Sequence, residues 1–160
     1  MFRSLALVAA LSLPAAAMAA PMSPSTYVMK AGASDQYEIN SSKLMLNSRS
    51  PQLQQFAQHM VHDHTQSTAM VKQAAMRAHL HPAPPHMNAM QTRMMSQLRH
   101  ASGASRDRLY VEQQRQAHQM ALELHRSYAH DGNSQPLKMA AANIAPVVQS
   151  HIDMLRDMRM

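Results

Sequence analysis

The 160-residue chain has no cysteine, no tryptophan and only three glycines. Without cysteine there is no disulfide, no thiolate metal site, no thiol nucleophile and no lipid attachment through sulfur. So few glycines leave no glycine-rich phosphate loop, and no Gly-x-Ser-x-Gly turn occurs. Aromatic residues make up 4% of the chain, so the core must be filled by other side chains. Beyond the first residues no run of about 18 apolar residues occurs, which excludes a membrane-spanning helix there. No segment alternates polar and apolar residues in the manner of a strand. Acidic residues number nine against fifteen lysines and arginines, a formal charge of +6. The basic residues are spread along the chain, so they read as solvated helix faces with weak attraction to an anionic envelope surface, and not as a nucleic-acid patch.

What the chain does have is methionine and histidine, 17 and 11 residues respectively. Methionine forms helices well and fills irregular cores, which accounts for most of that excess. The histidines have no comparable structural explanation.

Residues 1–19 read as a secretory signal. Arg3 gives a basic start, Leu5–Leu13 an apolar stretch, and Ala17-Met18-Ala19 a small-x-small cleavage site. The remainder, 20–160, is expected to form a single helical domain in the periplasm or outside the cell, with association to the envelope as a further expectation. Five helices are predicted: Ser25–Asn47, Pro51–His79, Met87–His100, Arg106–His130 and Pro136–Met158. Ser23 or Ser25 and Ser50 are expected N-caps, Pro51 fits a first helical position, and Gly132 is an expected C-terminal cap. Pro146 is expected to kink the last helix. The second helix carries Leu53, Phe56, Ala57, Met60, His64, Ser67, Val71 and Ala74 at three- and four-residue steps, so His64 sits inside an apolar stripe. His151 lies inside the stripe of the last helix. His118 and His125 lie at the margin of a stripe formed by Leu109, Tyr110, Gln113, Ala117, Met120, Ala121, Leu124 and Tyr128. Glu38 borders the inner face of the first helix. Spacing predicts an all-α bundle in which Glu38, His64, His118 and His151 meet at a similar depth, with Asp63 beside them.

Tyr37-Glu38-Ile39, Gln55-Phe56-Ala57-x-x-Met60-Val61-x-Asp63-His64, Tyr110 with His118, and Ile144-Ala145-Pro146-Val147-Val148-x-x-His151 together resemble the exported bacterial family of domains of unknown function numbered 4142. The resemblance implies a ferritin-like four-helix bundle with an additional short helix. It supplies no activity. At the position where the family usually has Phe-Asp before the tyrosine of the fourth helix, this chain has Arg106-Asp107-Arg108-Leu109, so one packing aromatic is missing.

A di-iron centre in such a bundle needs Glu-x-x-His on two helices, and that motif is absent. Two readings of Glu38, Asp63, His64, His118 and His151 stay open. One is a buried hydrogen-bonded network that fixes tautomers and helix register. The other is a site for Zn, Cu or Fe formed by three imidazoles and a carboxylate. Loop histidines His79, His81 and His86, and the methionine stripe Met87, Met90, Met94 and Leu98, are weaker metal candidates. The first expectation for function is a non-enzymatic, stress-related binding protein of the envelope with an unidentified protein partner. The alternatives are a periplasmic metal-binding protein and an oxidoreductase with a degenerate metal centre.

Overall fold

A computed structural model describes residues 21–158. The signal-sequence reading falls outside them. The described residues form five helices and no strand: α1 Pro24–Met45, α2 Pro51–Arg77, α3 Ala89–His100, α4 Gly103–Asp131 and α5 Gln135–Asp157. This is the all-α class expected from the sequence. None of the described helices is long and apolar enough to cross a membrane.

Local chemistry sets the boundaries. Ser23 accepts from the Thr26 amide at 3.2 Å and Ser50 from the Leu53 amide at 3.4 Å, with proline at the start of both helices. α3 begins later than expected, because Asn88 and Gln91 form a reciprocal capping box with both bonds at 2.9 Å. α4 begins three residues earlier than expected, taking in Gly103–Ser105, so only Ala101 and Ser102 separate it from α3. Arg115 closes the far end of α5 by donating to the Leu155 and Met158 carbonyls at 3.0 and 3.1 Å. α5 continues through Pro146 without a break. Gly132 does cap α4, its amide donating to the Tyr128 carbonyl at 2.9 Å. Its φ is −61°, so the left-handed conformation is not the reason for glycine. A Cβ there would lie 2.5 Å from that carbonyl oxygen and 2.7 Å from the Tyr128 ring.

α2 ends in a Schellman turn. Leu80 donates to Ala75 at 2.9 Å and His79 to Met76 at 3.0 Å, which requires His79 to adopt φ +56°. Glycine normally occupies that position. The His79 side chain is exposed, so His79→Gly removes left-handed strain and little else. It is expected to raise unfolding stability by about 0.5–1 kcal/mol in urea titration. A loss of stability would show that the imidazole contributes at the turn.

α1 packs on α2 and α4 on α5, and the two hairpins face each other through α1–α4 and α2–α5. α3 lies over α1 and α4. Two apolar clusters form the core. One joins Tyr27 and Ala31 to Val71, Leu122 and Leu137. The other joins Met45 and Phe56 to Leu98, Tyr110 and Leu155. The chain therefore runs alternately up and down. Between the apolar clusters lies a polar layer: Asp35, Glu38, Ser41 and Ser42 of α1, His64 and Ser67 of α2, Gln113, Gln114 and His118 of α4, and His151 of α5, all buried.

The inward face of α4 differs from the expected one. It carries Tyr110, Val111, Gln113, Gln114, His118, Ala121, Leu122, His125 and Tyr128, so Tyr110, Gln113, Ala121 and Tyr128 of the expected stripe face inward, whereas Met120 is 47% exposed. Glutamine and histidine occupy core positions on this helix, so its apolar residues mark a stripe that is rotated toward solvent.

Candidate metal centre

The imidazoles of His64, His118 and His151 form a near-equilateral triangle, with ring centroids 5.6, 5.5 and 5.4 Å apart. Each comes from a different helix, α2, α4 and α5. Each is at most 3% exposed, so all three rings are buried. The three rings place one ligand nitrogen each within 4.8 Å of one another.

The outer nitrogen of every ring is held. His64 Nδ1 bonds to Asp35 Oδ1 at 2.8 Å, and Thr68 steadies the other oxygen of that carboxylate at 3.1 Å. His118 Nδ1 lies 2.9 Å from the Gln114 carbonyl of its own helix. His151 Nε2 lies 3.0 Å from Asp63 Oδ2. All three acceptors are oxygens, so these ring nitrogens carry the protons. In the neutral rings the inner nitrogens, His64 Nε2, His118 Nε2 and His151 Nδ1, then present lone pairs. Two of them face each other at 3.4 Å. His64 Nε2 is buried and has no hydrogen-bond partner. Nitrogens bound to one tetrahedral ion at about 2.0–2.1 Å lie about 3.4 Å apart. The donor set fits such an ion, and the backing of each imidazole by carboxylate or carbonyl is the usual support of metal-bound histidine.

Glu38 lies beside this set, fully buried, with Oε1 3.7 Å from His118 Nδ1. Neither of its oxygens has a hydrogen-bond partner. Burial pushes its carboxyl up to about 7, against the pull of His64. Burial also pushes His118 well below the ordinary imidazole range, helped by His64 and His151, and brings His151 down to about 4. Burial acts on His64 in the same direction, but the Asp35 hydrogen bond and the nearby carboxylates outweigh it and raise its affinity for a proton. Asp63 is 30% exposed and its second oxygen accepts from His62 at 2.9 Å. Its own partial burial works against ionisation, and the bonds to His62 and His151 outweigh this and lower its pKa.

Glu38, Asp63, His64, His118 and His151 thus come together, with Asp63 behind a ligand nitrogen rather than in front of it. Asp35 is a further member not singled out in the sequence. It sits three residues before Glu38 on the same helix face, and that i, i+3 pair of acids on a buried face was the available signal. His125 is buried too but faces elsewhere, bonded to Tyr27 Oη at 2.9 Å. His81 and His86 are exposed like His79, and the central triad is the one such metal-ligand group among the described residues.

The fold is similar to that of CopM in its copper(II)-bound form. The TM-score is 0.71 at 16% identity, over 85% of this chain and 95% of that one. That likeness is one of fold. Among curated proteins none matches the chain in sequence. The sequence pattern of the family described as domain of unknown function DUF4142 matches residues 9–158, nearly the whole chain, and the chain belongs to that family.

Proposed function

We propose that this protein binds one transition-metal ion, copper(II) ahead of zinc(II), between His64, His118 and His151. The observation that carries the reading is the opposed arrangement of the rings: three inner nitrogens converge while three separate acceptors hold the outer ones. A self-sufficient hydrogen-bonded network would leave no centre to fill. Here His64 Nε2 is buried at that centre without a partner, and the unpaired Glu38 carboxyl lies on the outer side of His118, 3.7 Å from Nδ1, where a cation at the centre would offset its charge through the ring. Three imidazoles suit copper(II) and zinc(II), and copper(II) binds such donors more tightly. The copper(II)-bound form of a protein of the same fold supports the choice.

The role is binding, not turnover. The pocket beside the imidazoles is about 40 Å³, room for about one water and little more. The signal-like N-terminus supports a role in the periplasm or outside the cell.

Equilibrium dialysis against buffered copper(II) and zinc(II) tests the proposal. One tightly held equivalent per chain is expected, and its loss in a folded His64→Leu/His151→Leu variant. Absence of binding by the folded wild type, or equal binding by the variant, would overturn it. Asp35→Asn keeps the side-chain shape but weakens the support of His64 Nδ1, so copper(II) affinity is expected to fall about 10- to 100-fold in competition with a chelator. An unchanged affinity would remove Asp35 from the site.

A further inference from the structure

We infer that metal reaches the triad through the gap between α2 and α5, with His62 and Asp63 as its outer landing point. This rests on the metal-binding reading and adds the route, which neither the family nor the fold assigns.

Two openings among the described residues can be compared as routes. The larger, about 560 Å³, lies among α1, α3 and α4 and is lined by methionines, including Met29, Met94 and Met120. None of the three imidazoles borders it. His118 and Glu38 are wholly buried and do not border it. The smaller, about 40 Å³, is bordered by two of the three ligands, His64 and His151. Its walls are Asp63, Ser67 and Met70 from α2 and Val147 from α5. α3 covers the α1–α4 side of the bundle, so α2–α5 is the side on which little stands between ligand and solvent.

The chemistry of this gap suits a cation. Ser67 Oγ is buried without a partner and offers an oxygen to an ion that has shed part of its water. Polar side chains lead inward in steps. The His62 side chain is 67% exposed and touches Asp63 at 2.9 Å. Asp63 touches His151 at 3.0 Å, and His151 touches His118 at 3.4 Å. His59, also exposed, stands one helical turn before Asp63. An ion held briefly by His62 and Asp63 lies next to a ligand of the central site. Its last step requires only that it pass the half-buried Asp63 and Val147 side chains.

A route has a kinetic signature that a ligand lacks. Entering and leaving ions use the same path, so narrowing it slows loading and release together and leaves affinity unchanged. The test uses the full chain and copper(II) alone, followed by rapid-mixing absorbance for loading and by chelator challenge for release. Val147→Phe, which fills the outer edge of the gap, is expected to slow both rates about tenfold or more with Kd within about twofold. His62→Ala, an exposed change that does not touch the core, is expected to slow both rates by about threefold, again at constant Kd. Met120→Phe in the larger groove is expected to load as the wild type does. Wild-type rates in folded Val147→Phe and His62→Ala, or slow loading in Met120→Phe, would overturn the route while leaving the metal site standing. A change in Kd with loading unaltered would overturn it as well. If Val147→Phe does not fold, His62→Ala decides. No tight copper(II) on the wild type would remove the site and the route together.

Discussion

Saturating copper(II) is expected to raise the thermal midpoint of the protein by about 10 °C. The ion binds the folded chain, where three imidazoles are assembled from α2, α4 and α5, and has no comparable site in the unfolded chain. At a free concentration about 1,000 times Kd the linkage stabilises the native state by about 4 kcal/mol. For a domain of this size each kcal/mol moves the midpoint by about 2–5 °C. The effect should vanish in His64→Leu/His118→Leu. That variant removes two of the three ligand nitrogens, while the apolar clusters on either side of the polar layer remain. His64→Leu does leave the Asp35 carboxylate without its 2.8 Å partner, so the variant's own midpoint is expected below that of the wild type. The readout is the increment on adding metal, by calorimetry at constant protein concentration. An equal increment in the variant would place the stabilising metal elsewhere.

Acid is expected to weaken the fold through His125. This ring is buried against Tyr27. Burial is the chief cause that brings its pKa down to about 4, with His64 adding to it and Asp35 opposing. Its folded value lies below the unfolded value of about 6.5. The neutral ring therefore contributes stability that is fully present above about pH 6.5 and is lost as pH falls through about 4, about 3 kcal/mol across that window. Other groups act on the same window in both directions. His151, also near 4, adds to the loss. Glu38, raised to about 7, and His64, raised by Asp35, both favour the acid side. Comparison with His125→Gln isolates the term. Urea titrations of metal-free protein from pH 7 to pH 4 should show the wild type losing about 3 kcal/mol more than the variant. Parallel curves would mean that His125 is already charged in the folded protein, or that it gains access to water.

How far the sequence revealed the site follows from which residues face inward. On α2 and α5 the apolar period is strong, and His64 and His151 sit inside it, so their burial could be read directly. On α1 the inner face holds Asp35, Glu38, Ser41 and Ser42. Position along the helix identified Glu38, but no hydropathy signal distinguishes an acid that backs an imidazole from one at a solvated edge. On α4 the inward glutamines and histidines shift the apolar stripe, which leaves His118 and His125 at its margin although both are buried. The partner of each histidine was not readable from the sequence. Asp63 is next to His64 in the chain yet serves His151, because adjacent helix positions point about 100° apart. Asp35 serves His64 instead, from a neighbouring helix. Such pairings depend on helix rotation and register, which a single sequence does not encode locally. Ring orientation, with Nδ1 or Nε2 turned outward, is what supports a metal site over a hydrogen-bonded network, and it exists only in three dimensions.

X-ray absorption on the one-to-one copper(II) complex bears most directly on the three-histidine centre. Three imidazoles are expected in the first coordination sphere of the wild type and two in His118→Leu. A sphere of water oxygens or thioether sulfurs, or one that His118→Leu leaves unchanged, would contradict a metal held by His64, His118 and His151.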